Sequence, residues 1–169
     1  SKILALDLSF KSLSYAKRKA NELKINNIDF IQGDILDLES IDRKFDIIES
    51  VGVLHHMDNP FKGWKILTSC LNNDSLMLIG LYSEKARQHI IRIRNKINKL
   101  KLKTNYKNII KFRKDIIENN NDQWNYIKSS PDFYTVSGVR DLLFHVQEHT
   151  FTISKIKDYL DKLGLTFLG

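Results

Sequence analysis

"FDIIESVGVLHHMDNP", residues 45–60, is the stretch on which the fold turns. Phe45–Val51 is an apolar run of strand length. "MDNPF" at 57–61 is a helix start, with Asp58 or Asn59 as cap and Pro60 in the first turn. Phe61, Trp64, Leu67 and Leu71 then recur at helical spacing and give that helix an apolar face. A buried strand feeding a capped helix is the unit from which parallel α/β sheets are assembled.

The same unit recurs on either side. Upstream, "KILALD" at 2–7 reads as a strand ending at Asp7. Residues 9–23 read as a helix capped by Ser9, with Leu13, Ala16, Ala20 and Leu23 three or four apart. "NIDFI" at 27–31 is a second strand, closed by a turn that Gly33 makes ahead of Asp34. Downstream, "NND" at 72–74 is a turn, and "SLMLIGLYS" at 75–83 is a fourth strand so apolar that cover on both faces is expected. Four strands alternating with helices predict an α/β sheet with right-handed crossovers. Ligands of such sheets sit at the carboxyl ends of the strands. Asp7, Gly33–Asp34 and Glu49–Ser50 fall there, with His55–His56 just beyond.

Beyond residue 83 the pattern changes. Ala86, Ile90, Ile93, Ile97 and Leu100 alternate spacings of four and three, which predicts an amphipathic helix with a Lys/Arg outer face. Ile109, Phe112 and Ile116 predict a second helix, and "ENNNDQ" at 118–123 a loop. Residues 124–150 are rich in aromatics, with Trp124, Tyr126, Phe133, Tyr134 and Phe144. Residues 153–163 read as a helix stopped by Gly164, and "LTFLG" as the start of another strand. The expected organisation is one domain: a core over 1–83, a helical and aromatic insertion on the substrate side over 84–150, and a C-terminal helix and strand over 151–169.

Composition bounds the function. The 169 residues are 42% hydrophobic and 28% charged, as expected of a soluble globular chain. One cysteine, Cys70, permits no internal disulfide and points to a reducing, cytoplasmic home. No apolar run approaches the roughly 20 residues that span a bilayer. The net charge of +7 is local: residues 85–114 hold 12 of the 27 Lys and Arg and no acid, leaving 15 basic against 20 acidic residues elsewhere. That segment raises nucleic acid as a partner, but it lacks the interleaved aromatics of a strand-binding surface, and a solvated lid is the preferred reading.

At the strand ends, Asp7 reads either as a helix cap or as a carboxylate taking both hydroxyls of a ribose. Asp34 reads either as turn chemistry or as an acceptor for the exocyclic amine of adenine, with Ile35 or Leu36 over the ring. Two such acids 27 residues apart, ending consecutive strands, let one adenosine lie across both. His55 and His56 are candidates to accept a proton, a neutral imidazole being suited to that. His145, Glu148 and His149 share a face if their segment is helical, and are read as a polar surface rather than a metal cluster. No metal site is expected.

In order and spacing, residues 2–83 resemble the class I S-adenosylmethionine-dependent methyltransferases, which have a Rossmann-like fold. The resemblance implies S-adenosyl-L-methionine as cofactor, held by Asp7 and Leu8 at the ribose, by Gly33, Asp34 and Ile35 at the adenine, and by Glu49, Ser50 and Val51 near the methyl group. It implies an enzyme acting on an oxygen or nitrogen of a small molecule, with RNA or tRNA as the alternative acceptor. Tyr134 and Arg140 are candidate substrate contacts. "SGVRDLLFHVQEHTFTI" with "IKDYLDKLGLTFLG" resembles a segment following the core in bacterial members, some of them fused to tetratricopeptide repeats. The family's glycine-rich first loop has no counterpart: none of the seven glycines forms G-x-G. Truncation at the N-terminus, and also at the C-terminus, is the expected reason, and the chain by itself is then expected to be inactive. The rivals are a non-catalytic methyltransferase-like module and a short-chain dehydrogenase. The latter needs "NAG" where this chain has "ESVG", and its only Tyr-x-x-x-Lys, Tyr15–Lys19, stands on the wrong helix.

Overall fold

A computed structural model describes residues 1–119, 124–144 and 147–169. They divide into two units: Ser1–Leu54 with Asn59–Ile79, and His55–Asp58 with Gly80–Gly169.

The first unit is built on four strands. β1 (Ile3–Asp7) and β2 (Ile28–Gln32) pair in parallel, with Ile3 opposite Ile28 and Asp7 opposite Gln32. α1 (Phe10–Glu22) connects them and is capped as its sequence predicts, the Ser9 hydroxyl accepting from the Ser12 N–H at 3.2 Å. β3 (Phe45–Val51) pairs with β4 (Leu71–Gly80). The Phe45 N–H donates to the Cys70 carbonyl at 2.8 Å, so the two strands start side by side and run the same way. α2 (Pro60–Ser69) makes this crossover. Its cap is Asn59, which accepts from the Lys62 N–H at 3.0 Å, and Pro60 opens its first turn. Trp64, Ile66 and Leu67 are its buried face.

Several expectations are corrected here. The strands form two two-stranded sheets, and no ladder among the described residues joins them into one. β4 is covered on one face only: Leu76 and Leu78 are more than half exposed, as are Ile47 and Val51 on β3. A run of apolar residues records which faces can be buried; packing decides which ones are. "NND" lies inside β4 rather than before it, with Asp74 at φ 58, and the strand stops at Gly80. On α1 only Leu13 and Ala20 are buried, while Ala16 and Leu23 are exposed.

The second unit has a helical core. α3 (Gln88–Lys99), α4 (Tyr106–Glu118), the short α5 (Asn125–Lys128) and α6 (Val136–Phe144) enclose one apolar cluster. Ile90, Ile93 and Ile97 meet Ile109, Phe112 and Ile116 there, as their periodicity predicts. Ala86 precedes the helix, however, and Leu100 is 56% exposed. A 3-10 turn, Pro131–Tyr134, packs on α6 so closely that a β-carbon on Gly138 would lie 2.8 Å from the Asp132 Cα. α7 (Ile153–Leu163) is capped by Thr152 and ended by Gly164 at φ 67. "LTFLG" is not a strand: Phe167 and Leu168 are exposed, and the segment joins neither sheet among the described residues.

Candidate functional site

In the first unit the predicted residues gather at the carboxyl ends of the strands. The Gly33 N–H donates to the Asp7 carbonyl at 3.2 Å, extending the hydrogen bonding of the β1–β2 ladder by one residue ahead of Asp34. Gly33 therefore makes no turn, contrary to expectation. Its φ is ordinary, and what it supplies is room: a β-carbon there would stand 3.3 Å from the Leu6 Cδ1.

Both carboxylates are pinned in the same way. The Oδ1 of Asp7 accepts from the Ser9 N–H at 2.7 Å, and the Oδ1 of Asp34 from the Leu36 N–H at 2.9 Å. Asp34 also caps a 3-10 turn, Ile35–Ser40, its own N–H donating to Asp37 at 3.3 Å. Asp34 is thus the cap of a turn, whereas α1 takes Ser9 as its cap and Asp7 only accepts from the Ser9 N–H ahead of it. Gln32, which sequence reading passed over, donates from Nε2 to the Leu8 carbonyl at 3.0 Å and ties the same two strand ends. Leu8 is 66% exposed and Ile35 half-buried. At the end of β3, Glu49 and Val51 are exposed while Ser50 is buried, and its hydroxyl meets no partner among the described residues. Gly52 follows at φ 79, a conformation that favours glycine, and turns the chain away from the strand.

The second unit holds a cluster around His55 and His56. The His55 ring is 1% exposed and lies against Tyr82, centroid to centroid 3.9 Å, with the His56 ring 4.3 Å away. Burial pushes the His55 pKa down to about 4, His56 and Arg87 adding to the fall while Glu148 and the Gly80 backbone oppose it. Neither His55 nitrogen has a hydrogen-bond partner among the described residues, although the Gly80 backbone is near enough to favour the charged ring. At neutral pH this imidazole is uncharged. His56 is half-buried, and its Nδ1 lies 3.1 Å from the Gln147 carbonyl. A carbonyl can only accept, so Nδ1 carries a proton.

Behind these rings stands a buried ion cluster. The Arg87 guanidinium sits 3.6 Å over the Tyr82 ring and donates to Glu148 from Nε at 3.0 Å and from Nη2 at 2.6 Å. Arg94 reaches the same carboxylate at 3.1 Å. The Glu148 side chain is 1% exposed. The predicted polar surface is overturned here: residues 147–150 lie in no helix, and Glu148 faces inward. His149 donates its N–H to the His55 carbonyl at 2.7 Å; His145 lies outside the described residues. The basic segment is not simply a solvated face either, since Arg87 and Arg94 turn in. Arg87, Ile90, Arg94 and Ile97 follow one another at helical spacing, and that stripe is the signal that marks both arginines as inward. Tyr134 and Arg140 are exposed, and no contact among the described residues joins them to this cluster. The Tyr134 hydroxyl donates to the Lys128 carbonyl.

Comparison with known proteins bears on the chain as a whole. An uncharacterized protein of Synechococcus is 25% identical over the whole chain, which spans 42% of that protein. A probable (S)-tetrahydroprotoberberine N-methyltransferase of Papaver bracteatum is 30% identical over 52% of the chain and 24% of its own length. This chain therefore spans less than half of either relative. The structure of PKMT2 from Rickettsia typhi in complex with AdoHcy shares the fold over the full chain, with TM-score 0.69, 23% identity and 35% of that protein covered. A family model described as a methyltransferase domain matches residues 1–134, which include all four strands and the ion-paired arginines. By that match the chain belongs to the methyltransferase-domain family.

Proposed function

We propose that this chain is the cofactor- and acceptor-binding part of an enzyme that moves a methyl group from S-adenosyl-L-methionine to an oxygen or nitrogen of a small molecule. The observation that carries this is the pairing of Asp7 and Asp34 at adjacent parallel strand ends, each carboxylate pinned through Oδ1 by an N–H two residues on. A fixed pair of acceptors suits a ligand carrying a diol and an amine, which is what an adenosine offers. Leu8 and Ile35 supply apolar cover, and the buried Ser50 hydroxyl supplies a polar group with no partner among the described residues. Glu49 and Val51 complete the β3 end. The sulfonium of the cofactor supplies the activated methyl group, so the chain has only to align the acceptor and take its proton.

His56 is assigned that proton. Its Nδ1–H is fixed on the Gln147 carbonyl, which orients the ring. His55, buried and neutral, holds the neighbouring ring in place. The Papaver relative is named for methylation of a nitrogen in a small molecule, and the family match agrees with the reaction class. The nucleic-acid reading draws on the basic segment, yet Arg87 and Arg94 are engaged by Glu148 and Arg113 by the Tyr134 carbonyl. The single buried thiol of Cys70 fits a cytoplasmic enzyme.

Calorimetric titration of S-adenosylhomocysteine tests the site. Asp7→Asn and Asp34→Asn keep the Oδ1 bond to the backbone, because Asn caps as well as Asp. Each replaces the other oxygen by an NH2 group, a donor where the ligand needs an acceptor. Each is expected to weaken binding at least tenfold, about 1.4 kcal/mol, with the melting temperature unchanged. Unweakened binding in both variants overturns the assignment.

A further inference from the structure

The connection between α3 and α4, "KLKLKTNYK" at 99–107, has no part in the proposed methyl transfer. Both of its ends are held. α3 closes with the Lys101 N–H on the Asn98 carbonyl at 3.0 Å and the Leu102 N–H on the Ile97 carbonyl at 3.2 Å. α4 opens with the Asn105 side chain accepting from the Asn108 N–H at 2.9 Å. The Lys103 carbonyl accepts from the Asn105 N–H and from Nδ2 of Asn108. Leu102 packs on the apolar cluster of the second unit. The connection is therefore a braced platform.

What it displays is basic and apolar together. Lys99, Lys101, Lys103 and Lys107 are exposed, and so are Lys96 and Lys111 one helical turn further along α3 and α4. No acid occurs from 85 to 114, and the ion pairs among the described residues involve none of these lysines. Among them Leu100 is 56% and Tyr106 64% exposed. Leu102 is spent on the core; Leu100, two residues earlier, is not. Lys101 stands at φ 49, a conformation that glycine adopts freely and a lysine only with strain.

We propose that this platform docks on the surface of an anionic lipid bilayer, its lysines on lipid phosphates and Leu100 and Tyr106 at the headgroup boundary. Clustered lysines are drawn to a negatively charged leaflet. Their alkyl stems lie along apolar surface while the ammonium groups reach the phosphates. A tyrosine suits a boundary that is apolar on one side and wet on the other. A nucleic-acid strand offers the same phosphates but gives Leu100 no role, and it calls for several stacking aromatics where this stretch has Tyr106 alone. The site stands on its own and does not depend on the methyl-transfer reading.

The test is sedimentation of the protein with vesicles of phosphatidylcholine, either pure or mixed in equal parts with phosphatidylglycerol. Binding is expected to the mixed vesicles only, and it should weaken as salt is added. Lys99→Glu with Lys103→Glu should weaken it at least tenfold. Lys11→Glu with Lys17→Glu, the same change of charge at exposed positions of α1, should weaken it far less. Lys101→Gly removes one charge and the strained φ together. It should weaken binding roughly fivefold while raising the melting temperature, so lost binding cannot be lost folding. Leu100→Gln keeps every charge and should weaken vesicle binding while leaving binding of oligouridylate unchanged. Equal binding to both kinds of vesicle overturns the charge argument. Equal losses from the two charge-reversed pairs reduce the effect to net charge and overturn the site. Vesicle binding indifferent to Leu100→Gln overturns the bilayer reading, and oligouridylate bound more tightly than vesicles gives the platform to nucleic acid instead.

Discussion

Glu148→Gln should be among the most damaging conservative substitutions in this chain. The carboxylate is 1% exposed and accepts three hydrogen bonds from two guanidinium groups that are themselves 13% and 16% exposed. Gln keeps the shape and one acceptor but removes the negative charge that Arg87 and Arg94 share. Breaking a buried pair by removing one partner is destabilising by about 3–5 kcal/mol, because the remaining charge stays buried. Against a total stability of about 5–15 kcal/mol, that is a large share. With a urea m-value of about 2 kcal/mol per M, the midpoint should fall by about 2 M with the slope unchanged. The chain has two tryptophans, Trp64 in the first unit and the buried Trp124 in the second. A Trp64→Phe background therefore lets Trp124 fluorescence report the second unit by itself. Replacing the whole triad by apolar residues (Arg87→Met, Arg94→Met, Glu148→Leu) should restore much of the loss, since no charge is then stranded. A loss under about 1 kcal/mol for Glu148→Gln would refute the reasoning and put the cluster in the class of solvated surface pairs.

The low pKa of His55 makes stability depend on pH with a definite sign. Because the folded ring resists protonation down to about 4 while the unfolded one takes a proton near 6.5, stability is whole above pH 6.5 and falls as the pH drops toward 4. The fall attributable to this ring is about 3 kcal/mol, and a His55→Gln variant whose stability declines just as steeply would exclude it as the source. Gly138→Ala should destabilise the α6 start by more than 2 kcal/mol or so, because the new carbon meets the Asp132 backbone rather than a movable side chain; a melt equal to wild type would show that the turn can shift. Asn59→Ala removes the α2 cap and should be worth about 1 kcal/mol, with Asn59→Ser close to neutral in the same denaturation series.

What could be read from sequence was what neighbouring residues decide among themselves. The β3 limits, the Asn59–Pro60 start of α2, the Ser9 cap and the Gly164 stop all emerge as expected, since each depends on a few adjacent groups. Pairing was not legible. "SLMLIGLYS" shows that either face of a strand could be buried, but the exposure of Leu76 and Leu78 is decided by which elements lie over them. "LTFLG" has the composition of a strand, yet a strand exists only where another edge accepts its hydrogen bonds. The inward turn of Arg87 and Arg94 was hidden by the ten other cations around them, although the stripe they share with Ile90 and Ile97 was visible throughout. Their partner Glu148 lies 54 residues beyond Arg94, past any local pattern.

The two acids at the strand ends show why the local and the functional readings need not compete. An aspartate that caps a turn is held in one rotamer by a backbone N–H, and this ordering of the side chain is part of what a binding site has to provide before its ligand arrives. Asp7 and Asp34 have that restraint built in through Ser9 and Leu36, Asp7 at the end of β1 and Asp34 two residues past the end of the paired β2. The observed cap therefore does not weaken the case for a ligand. In the proposed site it would hold each carboxylate in one rotamer before a ligand arrives, and Asn, which preserves the bond to the backbone and changes only the outward atom, would separate the two roles where Ala would remove both.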